Sequence, residues 1–410
     1  MAYPKMYKVH QRFDAPVLKD IEATVEKEFS ALQLQEKVKP GQRIAVTAGS
    51  RGITNIPRIL ATVVAEIKKL GAEPFIVPAM GSHGGATAEG QKEVLRSLGI
   101  TEETMGCPIV SSMEVEVLGN TDFGANVYID KNAFGADGIV VVNRIKPHTG
   151  FRAANESGLL KMMAVGLGKH KGCVEVHKYG LAKMVLAAGR IFLEKAPIVC
   201  GIGIVENVYE ETAIIKGFLP KEMKKGEAEL LELAKSYLPR LPFDDIDVLI
   251  VEEMGKNISG TGMDVNVLGR MMKLGEPEPD RPRIKRIVVL DLTEESHGNA
   301  LGMGLADVIT QRFYEKINFA ATYENVISAA VLERGRMPVF RPTDEEAVQV
   351  ALASLGNIEP EAARIVRIKN TLELAHLSIS EAMVAEAKDN PALDILGDGE
   401  VLSFIEGNIV

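Results

Sequence analysis

Along the chain, short runs of β-branched apolar residues alternate with stretches in which apolar residues recur every three or four positions. Residues 43–47, Arg-Ile-Ala-Val-Thr, read as a buried strand. Gly49, Gly52 and Asn55 mark a turn, and Pro57 suits a first helical turn. Ile59, Leu60, Val63, Val64, Ile67 and Leu70 then keep helical spacing until Gly71 ends the helix. Residues 75–77 are the next strand, so the unit is strand–helix–strand with a parallel, right-handed crossover. Further strands are expected at 138–142, 198–204, 248–251, 287–290 and 364–368. Pro239, Pro242 and two aspartates interrupt a Glu-, Leu- and Lys-rich helix at 221–234. The expected organisation is therefore α/β, with two domains built on mostly parallel sheets. They are an N-terminal domain over residues 1–240 and a C-terminal one over 241–410, the last segment able to pack back onto the first. Ligands of open α/β sheets gather where strands end, so the loops after strands are where chemistry is sought.

Composition narrows the function classes. The 410 residues are 46% hydrophobic, enough for substantial cores, and carry a net charge of -9. That charge argues against nucleic acid or an anionic membrane as partner. Aromatics are 5% and Trp is absent, which disfavours base stacking. No stretch approaches the roughly 20 apolar residues of a membrane helix, and the N-terminus shows no signal-peptide run. Cys107, Cys173 and Cys200 are too scattered for a disulfide framework or a zinc knuckle. A reduced, cytoplasmic setting is expected.

Four of the seven histidines lie in Gly-rich or polar segments close after expected strands. His83 is in Gly81-Ser82-His83-Gly84-Gly85; His148 is in Lys146-Pro147-His148-Thr149-Gly150; His170 and His177 follow Gly166-Leu167-Gly168-Lys169. Imidazole on such a loop suits a general base or a metal ligand, although a water-satisfied surface histidine has the same signature. Lys161, in the apolar run Ser157-Gly158-Leu159-Leu160-Lys161-Met162-Met163, is either a desolvated nucleophile or a lysine snorkelling from a helix. Ala48-Gly49-Ser50-Arg51-Gly52 offers backbone amides and a guanidinium for a phosphate or carboxylate. Lys169-His170-Lys171 reads as a solvated helix start. HExxH, CxxC and GxSxG motifs are all absent.

Taken together, Arg51, His83, His148, Lys161 and His177 resemble, in order, motif and spacing, the nickel-pincer lactate racemases. The interval from Lys161 to His177 is 177 − 161 = 16 residues. Gly81-Ser82-His83 is similar to that family's Gly-Thr-His segment, and Pro147-His148 before Gly150-Phe151 to the loop with its second histidine. The resemblance implies a nicotinic-acid mononucleotide derivative that holds nickel through S, C and S. Lys161 would be its attachment point, with Ser50 and Gly158 beside it, and His177 the protein-derived nickel ligand. His83 and His148 would be the two bases, and Arg51 would grip a substrate carboxylate.

The implied activity is that of an isomerase that racemises or epimerises a 2-hydroxy acid by hydride transfer, which avoids deprotonating a weakly acidic Cα. Enzymes that synthesise the cofactor become implied partners. In the C-terminal domain, residues 255–266 resemble the family segment that closes over the site. Lys256 and Arg270 are its candidate substrate-binding cations, and the site is expected in a cleft between the domains. Two departures stand out. Ala48 replaces an aspartate three residues before Arg51, and extra residues fall at 152–156, which points to a substrate larger than lactate, such as a sugar acid. Two other classes stay open: a binding protein holding a phosphorylated metabolite on residues 81–85, and a Schiff-base lyase using Lys161.

Overall fold

A computed structural model describes residues 2–50 and 52–410. It divides the chain into two compact units, one running Ala15–Leu238 and the other Pro239–Val410 together with the segment that ends at Asp14. The first strand, β1 (Lys5–Gln11), belongs to the second unit and not to the N-terminal domain with which the sequence reading grouped it.

The first unit contains β2 (Arg43–Ala48), β3 (Glu73–Pro78), β4 (Val115–Asn120), β5 (Asn126–Asp130), β6 (Gly138–Arg144), β7 (Ile198–Glu206) and β8 (Thr212–Phe218). Among the described residues its main sheet has the order β3-β2-β6-β7-β8. The first four strands are parallel and β8 is antiparallel. Strands β4 and β5 form a separate hairpin.

Alternate residues of each strand serve opposite faces. Ile44 and Val46 pack with Ile59, Leu60 and Val63 of the helix Ile56–Lys69, whereas Ala45, Val77, Ile139 and Val141 pack with Leu159, Met163 and Leu167 on the other side. Because both faces are covered, these strands read as continuous apolar runs.

The second unit contains β9 (Asp245–Met254), β10 (Arg283–Leu292), β11 (Val308–Thr310), β12 (Val339–Arg341), β13 (Ile365–Ile368), β14 (His376–Ser380) and β15 (Leu393–Val401). Its described sheet has the order β12-β11-β10-β9-β13-β14-β1-β15. The pairs from β12 to β13 are parallel, and β14, β1 and β15 add an antiparallel edge. Strand β9 sends Leu249 and Val251 into one core and Val248 and Ile250 into the other. The architecture is thus two α/β units on mostly parallel sheets. No helix among the described residues is long and apolar enough to cross a membrane.

Candidate active site

Strand order decides which loops meet in the first unit. β2 lies between β3 and β6, so the turn after β2 is flanked by the loop after β3, which carries His83, and the loop after β6, which carries His148. With neighbouring strands about 4.8 Å apart, β3 and β6 are separated by about 10 Å. Ser50 is half-buried in the turn after β2. Arg51 lies outside the described residues.

The His83 loop is closely fitted. His83 is exposed, and its N–H donates to Met80 O at 3.2 Å. Gly81 has φ +61°, and its N–H donates to Gly166 O at 3.4 Å. A Cβ on Gly166 would come within 2.7 Å of Ala79 O, so only glycine lets residues 162–167 approach the end of β3 this closely.

The His148 loop is pinned at its base by Lys146 and Ser157, whose N–H groups each donate to the other's carbonyl at 2.9 and 3.2 Å. Inside it, the buried Glu156 carboxylate accepts the His148 N–H at 2.7 Å, and Arg152 donates to His148 O at 2.6 Å. The His148 ring lies 4.6 Å from the buried Phe151 ring, and its Nδ1 accepts the Gly150 N–H at 2.9 Å. In a neutral ring so held, the proton sits on Nε2. Taking up a proton at Nε2 therefore needs a hydrogen on Nδ1, and the Gly150 N–H must first let go. Burial pushes the Glu156 carboxyl up, against the Arg152 and Lys235 cations 3.9 and 3.8 Å away. The extra residues 152–156 thus shape the His148 loop from within.

Lys161 is half-buried at the end of the short helix Leu159–Lys161, which continues as a π-helical stretch, Met162–Leu167. Such stretches are frequent at functional sites. Asn143, near the end of β6, donates to Gly158 O at 2.8 Å and ties this helix start to the His148 strand. Glu227 reaches it from the helix Pro220–Ser236, accepting from Leu160 N at 2.9 Å and Asn155 Nδ2 at 3.1 Å. His177 is exposed in the last turn of the helix Lys169–Tyr179.

One expectation fails here. Lys169 is fully buried and paired with Asp130, not part of a solvated helix start; only His170 and Lys171 of that run are exposed. Its ammonium finds two hydrogen-bond acceptors and one carboxylate partner in the interior, which composition alone does not reveal.

Sequence reasoning also missed Glu227, although the signal was present. Met223, Glu227, Leu230, Leu231 and Ala234 form the buried stripe of their helix, so a carboxylate occupies a core position. Burial pushes its pKa from the ordinary 4.5 to about 7. Asn155 Oδ1 beside it is buried without a hydrogen-bond partner, an acceptor suited to a protonated carboxyl. A raised acid binds its proton more tightly in the folded state. Its burden on stability is therefore absent at low pH, grows from about pH 4.5 to about 7, and reaches about 3 kcal/mol. The stability advantage of Glu227→Gln over the parent is expected to rise by up to that amount between pH 5 and 8 in urea unfolding. A pH-independent difference would show that Glu227 keeps its charge.

In the second unit, Lys256 follows β9 and donates from Nζ to Gly260 O at 2.5 Å and Asn325 Oδ1 at 3.1 Å. Arg270 pairs with Asp307 at 2.9 Å and donates to Leu305 O and Ile284 O at 2.8 and 3.1 Å. Its guanidinium is thus used to join segments of its own unit.

In the first unit, then, a mostly parallel sheet carries two histidine loops flanking a turn, with the lysine-bearing helix packed against one sheet face. Residues 7–187 match the family model of the lactate racemase N-terminal domain. The chain's fold is similar to that of the lactate racemase apoprotein from Thermoanaerobacterium thermosaccharolyticum, with a TM-score of 0.53 over 88% of this chain and 94% of that one. At 14% identity that likeness is one of fold. No curated protein matches the chain significantly.

Proposed function

We propose that this protein is a racemase or epimerase of a 2-hydroxy acid, lactate-like or larger, that works with a nickel-pincer nucleotide. The observation that carries the reading is the strand order β3-β2-β6, by which two histidine loops flank one turn. The donor set suits the cofactor. Among the described residues, no three His, Cys, Asp or Glu side chains are grouped to hold a metal. A nickel ion already chelated by its own organic ligand needs only one imidazole, and His177 offers it. Lys161 offers an amine for attachment. When bound, the nucleotide supplies hydride acceptance and return at Cα.

The chain's own residues do the rest. Arg51 binds the carboxylate and so fixes which face of the substrate is presented. One of His83 and His148 takes the hydroxyl proton from one enantiomer; the other returns a proton to the opposite face of the planar keto acid. The test is to produce the chain with the cofactor-synthesis enzymes and offer the separate C2 stereoisomers of lactate, glycerate and aldonic acids. Parent protein is expected to carry an adduct on Lys161 and to convert either C2 stereoisomer of one of these acids to the same mixture; Lys161→Ala is expected to do neither. A keto product without inversion, or borohydride trapping of substrate on Lys161 without nickel, would refute the reading, the second in favour of a Schiff-base lyase.

A further inference from the structure

Lys169 stands where three parts of the candidate site meet. The helical path breaks at this residue, which has φ +53°, a conformation uncommon for a residue with a Cβ. Unbroken helix would put residues 16 apart, as Lys161 and His177 are, about 24 Å from each other. The break instead turns both segments onto one loop. A Cβ on Gly81 would lie 3.2 Å from Val165 before the break and 3.6 Å from Cys173 after it.

The side chain of Lys169 is fully buried, and its ammonium has two hydrogen-bond acceptors and one ion-pair partner. Nζ lies 2.5 Å from Pro78 O at the end of β3, 3.0 Å from Gln91 Oε1 and 3.3 Å from Asp130 Oδ2. Asp130 is itself buried and caps the next helical turn through Ala133 N at 2.9 Å. Gln91 is also buried and turns its other end to the His83 loop, donating to Gly81 O at 3.0 Å and His83 O at 3.3 Å. Burial pushes the Asp130 carboxyl up and the Lys169 ammonium down, so the pair is kept at a cost that an apolar core would avoid.

We propose that Asp130, Lys169 and Gln91 form a positioning strut that holds the His83 loop in register with the helices bearing Lys161 and His177. The functional half of this inference rests on the racemase reading; the structural half does not. Gln91→Met keeps the length of the side chain and leaves Lys169 with Asp130 and Pro78, cutting only the link to the loop. Amides of residues 81–85 are expected to exchange about tenfold faster, with residues 169–179 unchanged. In protein produced with cofactor-synthesis enzymes, kcat is expected to fall about 10²-fold with KM near its parent value. Should Gln91→Met not fold, the neutral pair Lys169→Met with Asp130→Asn serves, and the same loosening of 81–85 is expected.

Unchanged exchange at 81–85 in a folded variant, or a rise spread evenly over the unit, overturns the strut. A loosened loop with parental kcat overturns its role in positioning. Absence of racemisation in the parent overturns the racemase reading alone, and the exchange measurement still decides the strut.

Discussion

His83→Asn and His148→Asn are each expected to lower interconversion of the two stereoisomers by about 10²–10⁴-fold, the usual worth of a positioned acid or base. Asparagine keeps some hydrogen bonding but does not titrate. A full inversion uses both histidines, one to take a proton and one to return it, so losing either blocks net conversion. The half-reaction is a finer measure. With His83→Asn, one enantiomer should still give the keto acid in a single turnover; with His148→Asn, the other should. The two loops leave the sheet on either side of the turn after β2, which is the arrangement such opposite preferences need. Equal racemisation by both variants and the parent would make these histidines surface residues. Loss of the half-reaction with both enantiomers in one variant would make that histidine a positioning group. His148 is the one to watch, because the Gly150 N–H occupies its Nδ1.

Lys169→Met is expected to destabilise the fold by about 3–5 kcal/mol in urea unfolding at pH 8, because it strands a buried carboxylate. Asp130 is buried, and its carboxyl is already pushed up by that burial. Without the lysine it gains by binding a proton, so the loss should shrink as the pH is lowered towards 5. Adding Asp130→Asn removes the stranded charge and leaves a side-chain oxygen to cap Ala133. The double variant should therefore be more stable than Lys169→Met at pH 8. If the two changes instead add independently, the pair is not coupled in the folded protein.

How much of this was legible beforehand depended on where each residue faces. The runs at 43–47, 138–142 and 248–251 announced strands because both faces of their sheets are covered. The helix Ile56–Lys69 announced itself because Ile59, Leu60, Val63, Val64 and Ile67 line one buried stripe. Strand β1 did not: Lys5, Met6, Tyr7 and Lys8 are all at least partly exposed, and its partners β14 and β15 lie more than 360 residues away. His83, His148, Lys161 and His177 could be named from loop chemistry and motif order. That β2 stands between the two histidine strands is a matter of long-range pairing, which no local pattern encodes. Lys169 was hidden for a related reason. Its three oxygen partners come from β3, the helix Ala88–Ser97 and β5, far apart in sequence, while His170 and Lys171, which follow it, are polar and exposed.

The fate of the hydrogen on the stereogenic carbon tests the proposed chemistry most directly. Protein produced with the cofactor-synthesis enzymes would be given one enantiomer of the accepted 2-hydroxy acid, deuterated at C2, in ordinary water. The inverted product would then be isolated and its C2 label measured. Hydride transfer predicts that deuterium is kept at C2 of the inverted molecule, because that hydrogen never passes through solvent-exchanging acids. Inversion with the label washed out to protium would mean removal as a proton, and would contradict the mechanism.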